Sequence, residues 1–202
     1  MKKRLLPLSI LLVLSIFAVI ICWPLLVWAE SYFGYQTIGT VSNQIMTLGS
    51  TYANIKSSYQ YTANGTETID TIYVYSKTYN TDDTLLLGIY TVTDTTPNTR
   101  VWYDTVIINA IQWYSIPVGL SLTNGVTYTL AIANGGDIAG ADAPRVYYDT
   151  TISSGDAYIW QDSTMPVNWT GATTNNKIWS IYVAYSTGGA QPATGQVIKF
   201  HK

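Results

Sequence analysis

The feature that most constrains this chain is alternation at every second residue, repeated along most of its length beyond residue 29. In Thr68–Ser76 (TIDTIYVYS), Ile69, Thr71, Tyr73 and Tyr75 share one face, and Thr68, Asp70, Ile72 and Val74 share the other. In Gln112–Ala133 (QWYSIPVGLSLTNGVTYTLAIA), Ile116, Val118, Leu120 and Leu122 alternate with small or polar residues or Pro117. Asn124-Gly125 then interrupts, and Val126, Tyr128, Leu130 and Ile132 resume the period. A period of two belongs to a β-strand, whose side chains point alternately to opposite faces. Asn-Gly tolerates positive φ and marks a tight reversal between strands. No amphipathic helix of useful length breaks the pattern. The chain is expected to be all-β.

Further strands are expected at Glu30–Val41, Gln44–Leu48, Ile55–Thr62, Leu85–Thr93, Arg100–Asn109, Arg145–Thr150, Ala157–Gln161 and Lys177–Ser186. Between them lie Asn64-Gly65, a polar loop at Asn80–Thr84, a Pro-containing turn at Thr95–Asn98, the glycine-rich Asn134–Pro144 and the long loop Ser163–Asn176. Ile72 and Val74 give Thr68–Ser76 a second apolar face, so this strand is predicted to be central. Short strands joined by turn-rich loops indicate an antiparallel sandwich or barrel.

The ends of the sequence differ in character. Met1-Lys2-Lys3-Arg4 is basic, Leu5–Trp28 is apolar, and Val27-Trp28-Ala29 has the small or medium residues of a signal-peptidase site. Residues 1–29 therefore read as a signal peptide, or as a retained N-terminal anchor helix long enough to span a bilayer. Either way the body, 30–186, is expected to be exported, with the basic end left on the cytoplasmic side and any membrane contact confined to the N-terminal segment. Cys22 is preceded by Ile21 where a lipobox wants a small residue. Residues 187–202 read as a flexible linker and a short tail.

No cysteine remains beyond the leader, so stability must come from packing rather than disulfides. With Lys2, Lys3 and Arg4 set aside, the 10 basic residues fall to 7 against 12 acidic ones, a net charge of about −5. No basic patch interleaves with aromatics, which argues against nucleic acid as a partner.

In order, FGYQTIG, TIDTIYVYSK, LLLGIYTV, QWYSIPVGLSLTNGVTYTLAIA, VYYDT, a Pro-Trp loop and SIYVAY cover residues 32–186. Together they resemble the secreted jelly-roll repeats of bacterial and archaeal surface proteins and modular carbohydrate-active enzymes. The resemblance implies an antiparallel jelly-roll-like β-sandwich similar to carbohydrate-binding modules. It carries no invariant binding residues across.

The candidate chemistry is sparse. His201 is the only histidine, so a Ser-His-Asp or Cys-His constellation and a Cys/His zinc site are not expected in the body. Glu30 and Glu67 are the only glutamates, and aspartates scattered in turns are ordinarily turn formers. The expectation is a non-catalytic module. Sugar binding needs exposed aromatic faces with a few hydrogen bonds. Of the tryptophans beyond the leader, Trp113 and Trp179 sit in strong apolar strands and are expected in the core, while Trp102 fits either an exposed face or a second core layer. Trp160 and Trp169 are the stacking candidates, extended by Tyr147, Tyr148 and Tyr158. Covering a sandwich edge is the alternative role for these rings. Asp82 with Asp83, and Asp137 with Asp142, could supply oxygen ligands to a structural calcium, but neither loop has an established ligand spacing, and polar loop chemistry is the better explanation. No other cofactor is expected. Asn64 and Asn168 head glycosylation sequons. The expected partner is a glycan or cell-surface polysaccharide. The alternative function is a structural subunit of a surface layer or filament, self-assembling through its N-terminal strand or the tail Gln196–Phe200.

Overall fold

A computed structural model of the chain describes residues 30–44, 55–78, 83–94, 96–135, 144–150, 157–160, 165–169, 173–175 and 177–187. The N-terminal segment with Cys22 and the tail beyond Thr187 lie outside these. Among the described residues the strands are β1 (Ser31–Gly34), β2 (Val41–Gln44), β3 (Ile55–Thr62), β4 (Glu67–Lys77), β5 (Asp83–Thr93), β6 (Thr96–Ile108) and β7 (Gln112–Leu122). They continue with β8 (Thr127–Asn134), β9 (Arg145–Asp149), β10 (Ala157–Trp160), β11 (Thr173–Asn175), β12 (Ile178–Trp179) and β13 (Ile181–Thr187). Two antiparallel sheets result. One runs β1-β13-β4-β9-β12, with β7 also on β4 and β2 also on β9; the other runs β11-β10-β3-β8-β5-β6.

β4 holds the central place its two-faced pattern predicts. β7 and β13 pair with the same stretch of it, and so flank opposite edges. Ile69, Ile72 and Val74 of β4 meet Ile181 and Val183 of β13, Leu85, Leu87 and Ile89 of β5, and Leu130 and Ile132 of β8 in one shared core. Each large side chain fully buried there contributes about 1.5–3 kcal/mol. With no disulfide available, this apolar layer joins the sheets. The strict period of two fails at one point. Ile69 faces the core with Ile72 rather than outward with Tyr73, because Asp70 is an extra residue against β13, where the consecutive Ala184 and Tyr185 pair with Thr71 and Ile69. An extra residue in a strand turns the side chains that follow to the other face.

The two Asn-Gly turns do not join paired strands, contrary to expectation. β7 belongs to one sheet and β8 to the other, as do β4 and β3, so Asn64-Gly65 and Asn124-Gly125 carry the chain between layers. They dock on each other: Gly65 N donates to Asn124 Oδ1 at 2.9 Å, Gly125 N to Ala63 O at 2.8 Å, and Ala63 N to Val126 O at 3.0 Å. The tight hairpin lies instead between β5 and β6, where Thr93 pairs with Thr96 and Asp94 has a φ of 49°. Pro97, expected in the turn, pairs with Val92 inside β6. The stretch Lys177–Ser186 divides at Ser180, whose Oγ accepts the Gly39 N–H and whose backbone bonds Tyr147 and Tyr75.

Segment 165–169 straps the outer face of the six-stranded sheet. Met165 and Trp169 pack on Tyr90, Ala131 and Ala133, with Leu86 alongside. Gly88 leaves the space, since a Cβ there would lie 2.6 Å from Met165 Sδ. Backbone bonds Arg100 N to Val167 O and Trp169 N to Asn98 O, both 2.7 Å, fasten the strap to β6. The Tyr90 hydroxyl donates to Pro166 O at 2.8 Å. On the other sheet, Asp149 ties segment 35–40 to β9 by accepting the Tyr35 hydroxyl and the Thr40 N–H and Oγ1–H.

Two stability predictions result. Trp169→Ala empties the pocket beneath the strap and should lower unfolding stability by about 3–5 kcal/mol in denaturant titration; a loss under 1 kcal/mol would mean the strap does not hold the sheet. The Tyr35 and then the Thr40 hydrogen bonds hold the Asp149 carboxyl below the usual carboxylate range. A depressed folded-state pKa stabilises the fold above the ordinary value, about 4, and that stabilisation disappears as pH falls through the folded value. Asp149→Asn should therefore be less stable than the parent at neutral pH, with the gap closing in acid. A gap independent of pH would overturn this assignment.

Candidate functional site

On β4, the residues that alternate with the core-facing Ile72 and Val74 are Tyr73 and Tyr75. The outer face of this sheet therefore begins with tyrosine. Register places Tyr182 of β13 directly opposite Tyr73, and Trp113 of β7 opposite Tyr75 on the other edge. The rings meet in a continuous network. Tyr73 and Tyr182 stack at 4.6 Å with planes 8° apart. Trp113 meets Tyr182 edge-on at 5.1 Å and Tyr75 at 5.4 Å. Tyr147 of β9 meets Tyr75 at 5.0 Å, and Tyr32 of β1 meets Tyr182 at 5.9 Å. Lys77 Nζ ends the row 5.5 Å above the Tyr147 ring.

This surface crosses five strands and remains accessible. Tyr32 is 46 % exposed, and the other five rings are half-buried by one another. Aromatic pairs of this kind add about 0.5–1.5 kcal/mol each beyond their buried area, and they hold each ring in one orientation. Burial, and secondarily the neighbouring Tyr147 phenol, raise the Tyr75 hydroxyl above its ordinary range; like any tyrosine it is protonated at neutral pH and able to donate. The arrangement offers apolar ring surface with hydroxyl tips, on backbone fixed by pairing to both sides of β4.

The residues singled out from sequence are dispersed. Tyr147 belongs to the row. Tyr148, its neighbour, faces inward, 8 % exposed and 4.9 Å from the Trp179 ring. Trp169 is 5 % exposed beneath the strap, edge-on to Tyr90 at 5.1 Å. Both were expected to present a ring face to solvent, and packing forbids it. Trp160 and Tyr158 lie on β10, in the opposite sheet from Tyr147; their side chains lie outside the described residues. No single platform of these five residues forms. Trp179 is fully buried as expected, and Trp102 packs partly buried against the core. Trp113 reverses its expectation: Tyr114 and Ile116 go to the core and Trp113 goes out. Ser115 and Pro117, which share its face, are the signal that could have revealed this.

Asp83 is buried and accepts the Thr78 hydroxyl. Asp82, Asp137 and Asp142 lie outside the described residues, among which no group of three or more His, Cys, Asp or Glu could hold a metal ion. Asn64 and Asn168 are exposed, and Asn168 Oδ1 accepts the Thr99 hydroxyl at 3.3 Å. Because Trp169 turns under the strap, a glycan on Asn168 would not compete with that ring for space. Glu67 is enclosed between the sheets, its Oε1 accepting the Tyr61 hydroxyl at 2.8 Å.

No family model matches the chain, and no curated protein matches it in sequence. Solved structures match it in fold. A clostridial cysteine protease, Cwp84 after propeptide cleavage, aligns with a TM-score of 0.56 at 11 % identity, over 79 % of this chain and 40 % of that one. A second structure, of the cysteine protease and lectin-like domains of Cwp84, a surface layer associated protein of Clostridium difficile, aligns with a TM-score of 0.50 at 11 % identity, over 67 % of this chain and 32 % of that one. This chain thus spans less than half the length of either, and at such identity the likeness is one of fold: an all-β body of two antiparallel sheets.

Proposed function

We propose that this chain is a non-catalytic, exported or cell-surface β-sandwich module that binds glycan on the outer face of its seven-stranded sheet. The observation that carries the proposal is the row Tyr32, Tyr182, Tyr73, Trp113, Tyr75 and Tyr147. Carbohydrate is recognised by apolar ring surface against its C–H groups together with a few hydrogen bonds to its hydroxyls. This row supplies both, on a rigid support. The basic start and apolar run of residues 1–29 favour export. The structures similar in fold include lectin-like domains of a surface layer associated protein, which accords with this reading.

Strand order supports a jelly-roll reading of the fold. Numbering β1, β3, β4, β5, β6, β7, β8 and β13 as strands one to eight, the sheets run 1-8-3-6 and 2-7-4-5, the order produced when two Greek keys wrap into a double-sheet jelly roll. β2, β9, β10, β11 and β12 are additions to that frame.

Trp113→Ala removes the largest ring of the row together with its contacts to Tyr75 and Tyr182. On a glycan array, the parent chain should bind at least one glycan, and the variant, its melting temperature a few degrees lower but its unfolding still cooperative, should bind it about tenfold or more weakly. Absence of any glycan bound by the parent, or equal binding by the two proteins, would remove the proposed site.

A further inference from the structure

A second surface lies at the far edge of the other sheet. β6 closes the order β11-β10-β3-β8-β5-β6, and only its first half is covered, where segment 167–169 bonds residues 98 and 100. From Val101 to Ile108, among the described residues, no strand pairs with its outer edge. Three of its four outward side chains, Thr105 excepted, are apolar as well. Val101 is 39 %, Tyr103 52 % and Ile107 63 % exposed, while the alternate residues Trp102, Val106 and Ile108 pack into the core. A long edge strand with an exposed apolar face is a template for another strand. Asp104 is the only charged residue on this stretch, and its Oδ1 accepts the Thr105 N–H at 2.7 Å. It is a rim charge that disfavours unselective pairing and favours a strand carrying a cation.

We propose that this edge accepts the C-terminal segment Gln196–Phe200 of a second copy of the chain, so that copies link by strand addition. The match lies in the pattern. In QVIKF, Ile198 and Phe200 share one face and Val197 and Lys199 the other. Laid along β6, the first face extends the apolar row of Val101, Tyr103 and Ile107. The second face sets Lys199 beside Asp104. Residues 188–195 between Thr187 and this segment span up to roughly 27 Å when extended, enough to reach a neighbour. Donor and acceptor are different elements, so the contact is heterologous, and repetition makes a chain or closes a ring. The contact leaves the aromatic row on the opposite sheet free, and it stands whether or not that row binds glycan.

The test is sedimentation velocity of the full chain across a wide concentration range, with variants that all retain residues 1–29, so that association through that apolar segment is common to every sample. The parent should form concentration-dependent oligomers. Ending the chain at Thr187, Ile107→Lys and Asp104→Lys should each weaken assembly by about tenfold or more, with melting temperature unchanged. Combining Asp104→Lys with Lys199→Asp should restore it. A parent whose mass is independent of concentration, assembly indifferent to loss of 188–202, or a charge swap without recovery would each overturn the proposal.

Discussion

β4 is bonded along both edges and buried on one face, and the rest of the molecule depends on that double commitment. A strand pairing with β7 on one side and with β13 and β9 on the other cannot shift register without breaking both ladders. Its inner side chains, Ile72 and Val74, anchor the core across to β5 and β8. Its outer side chains are then fixed as a consequence, so Tyr73 and Tyr75 are as well placed as the core is. The aromatic row is in this sense a by-product of core registration.

The strand pattern was legible because a period of two survives in most segments. Ile55–Thr62, Thr68–Ser76 and Leu85–Thr93 were all found within about two residues of their bounds, the usual latitude at strand ends. Pairing was not legible. Asn-Gly marks a reversal, but nothing local says whether the chain returns to the same sheet or crosses to the other; that depends on which partner edge each strand finds. The slip at Asp70 is equally invisible, since it exists only against β13, a strand more than a hundred residues away.

Trp113 and Trp169 exchanged roles for a related reason. A tryptophan in an apolar strand and one in a polar loop invite opposite assignments from composition alone. Burial is decided by what stands across from each ring. Beneath the strap that carries Trp169 are Gly88, Ala131 and Ala133, small residues that leave a trough for Met165 and Trp169 beside Tyr90. Opposite Trp113 is Tyr75, a residue too large to leave one. Tyr147 and Tyr148 were both expected to face outward and only the first does, because the VYYDT motif alternates without declaring which tyrosine faces in; the pairing of Trp179 with Tyr148 decides it.

The two outer faces of the sandwich are consequently unlike. On the six-stranded sheet, small residues admit a strap, so that face is partly closed by the chain itself, while Val101, Tyr103 and Ile107 of β6 stay exposed. On the seven-stranded sheet the outward residues are bulky rings that pack sideways on one another, which leaves no trough for a covering loop and keeps the surface open at little cost, since each ring is half-buried by its neighbours. A surface that is apolar, ordered and self-supporting resists collapse without needing a lid. That is the physical property on which the proposed glycan-binding role of this face rests.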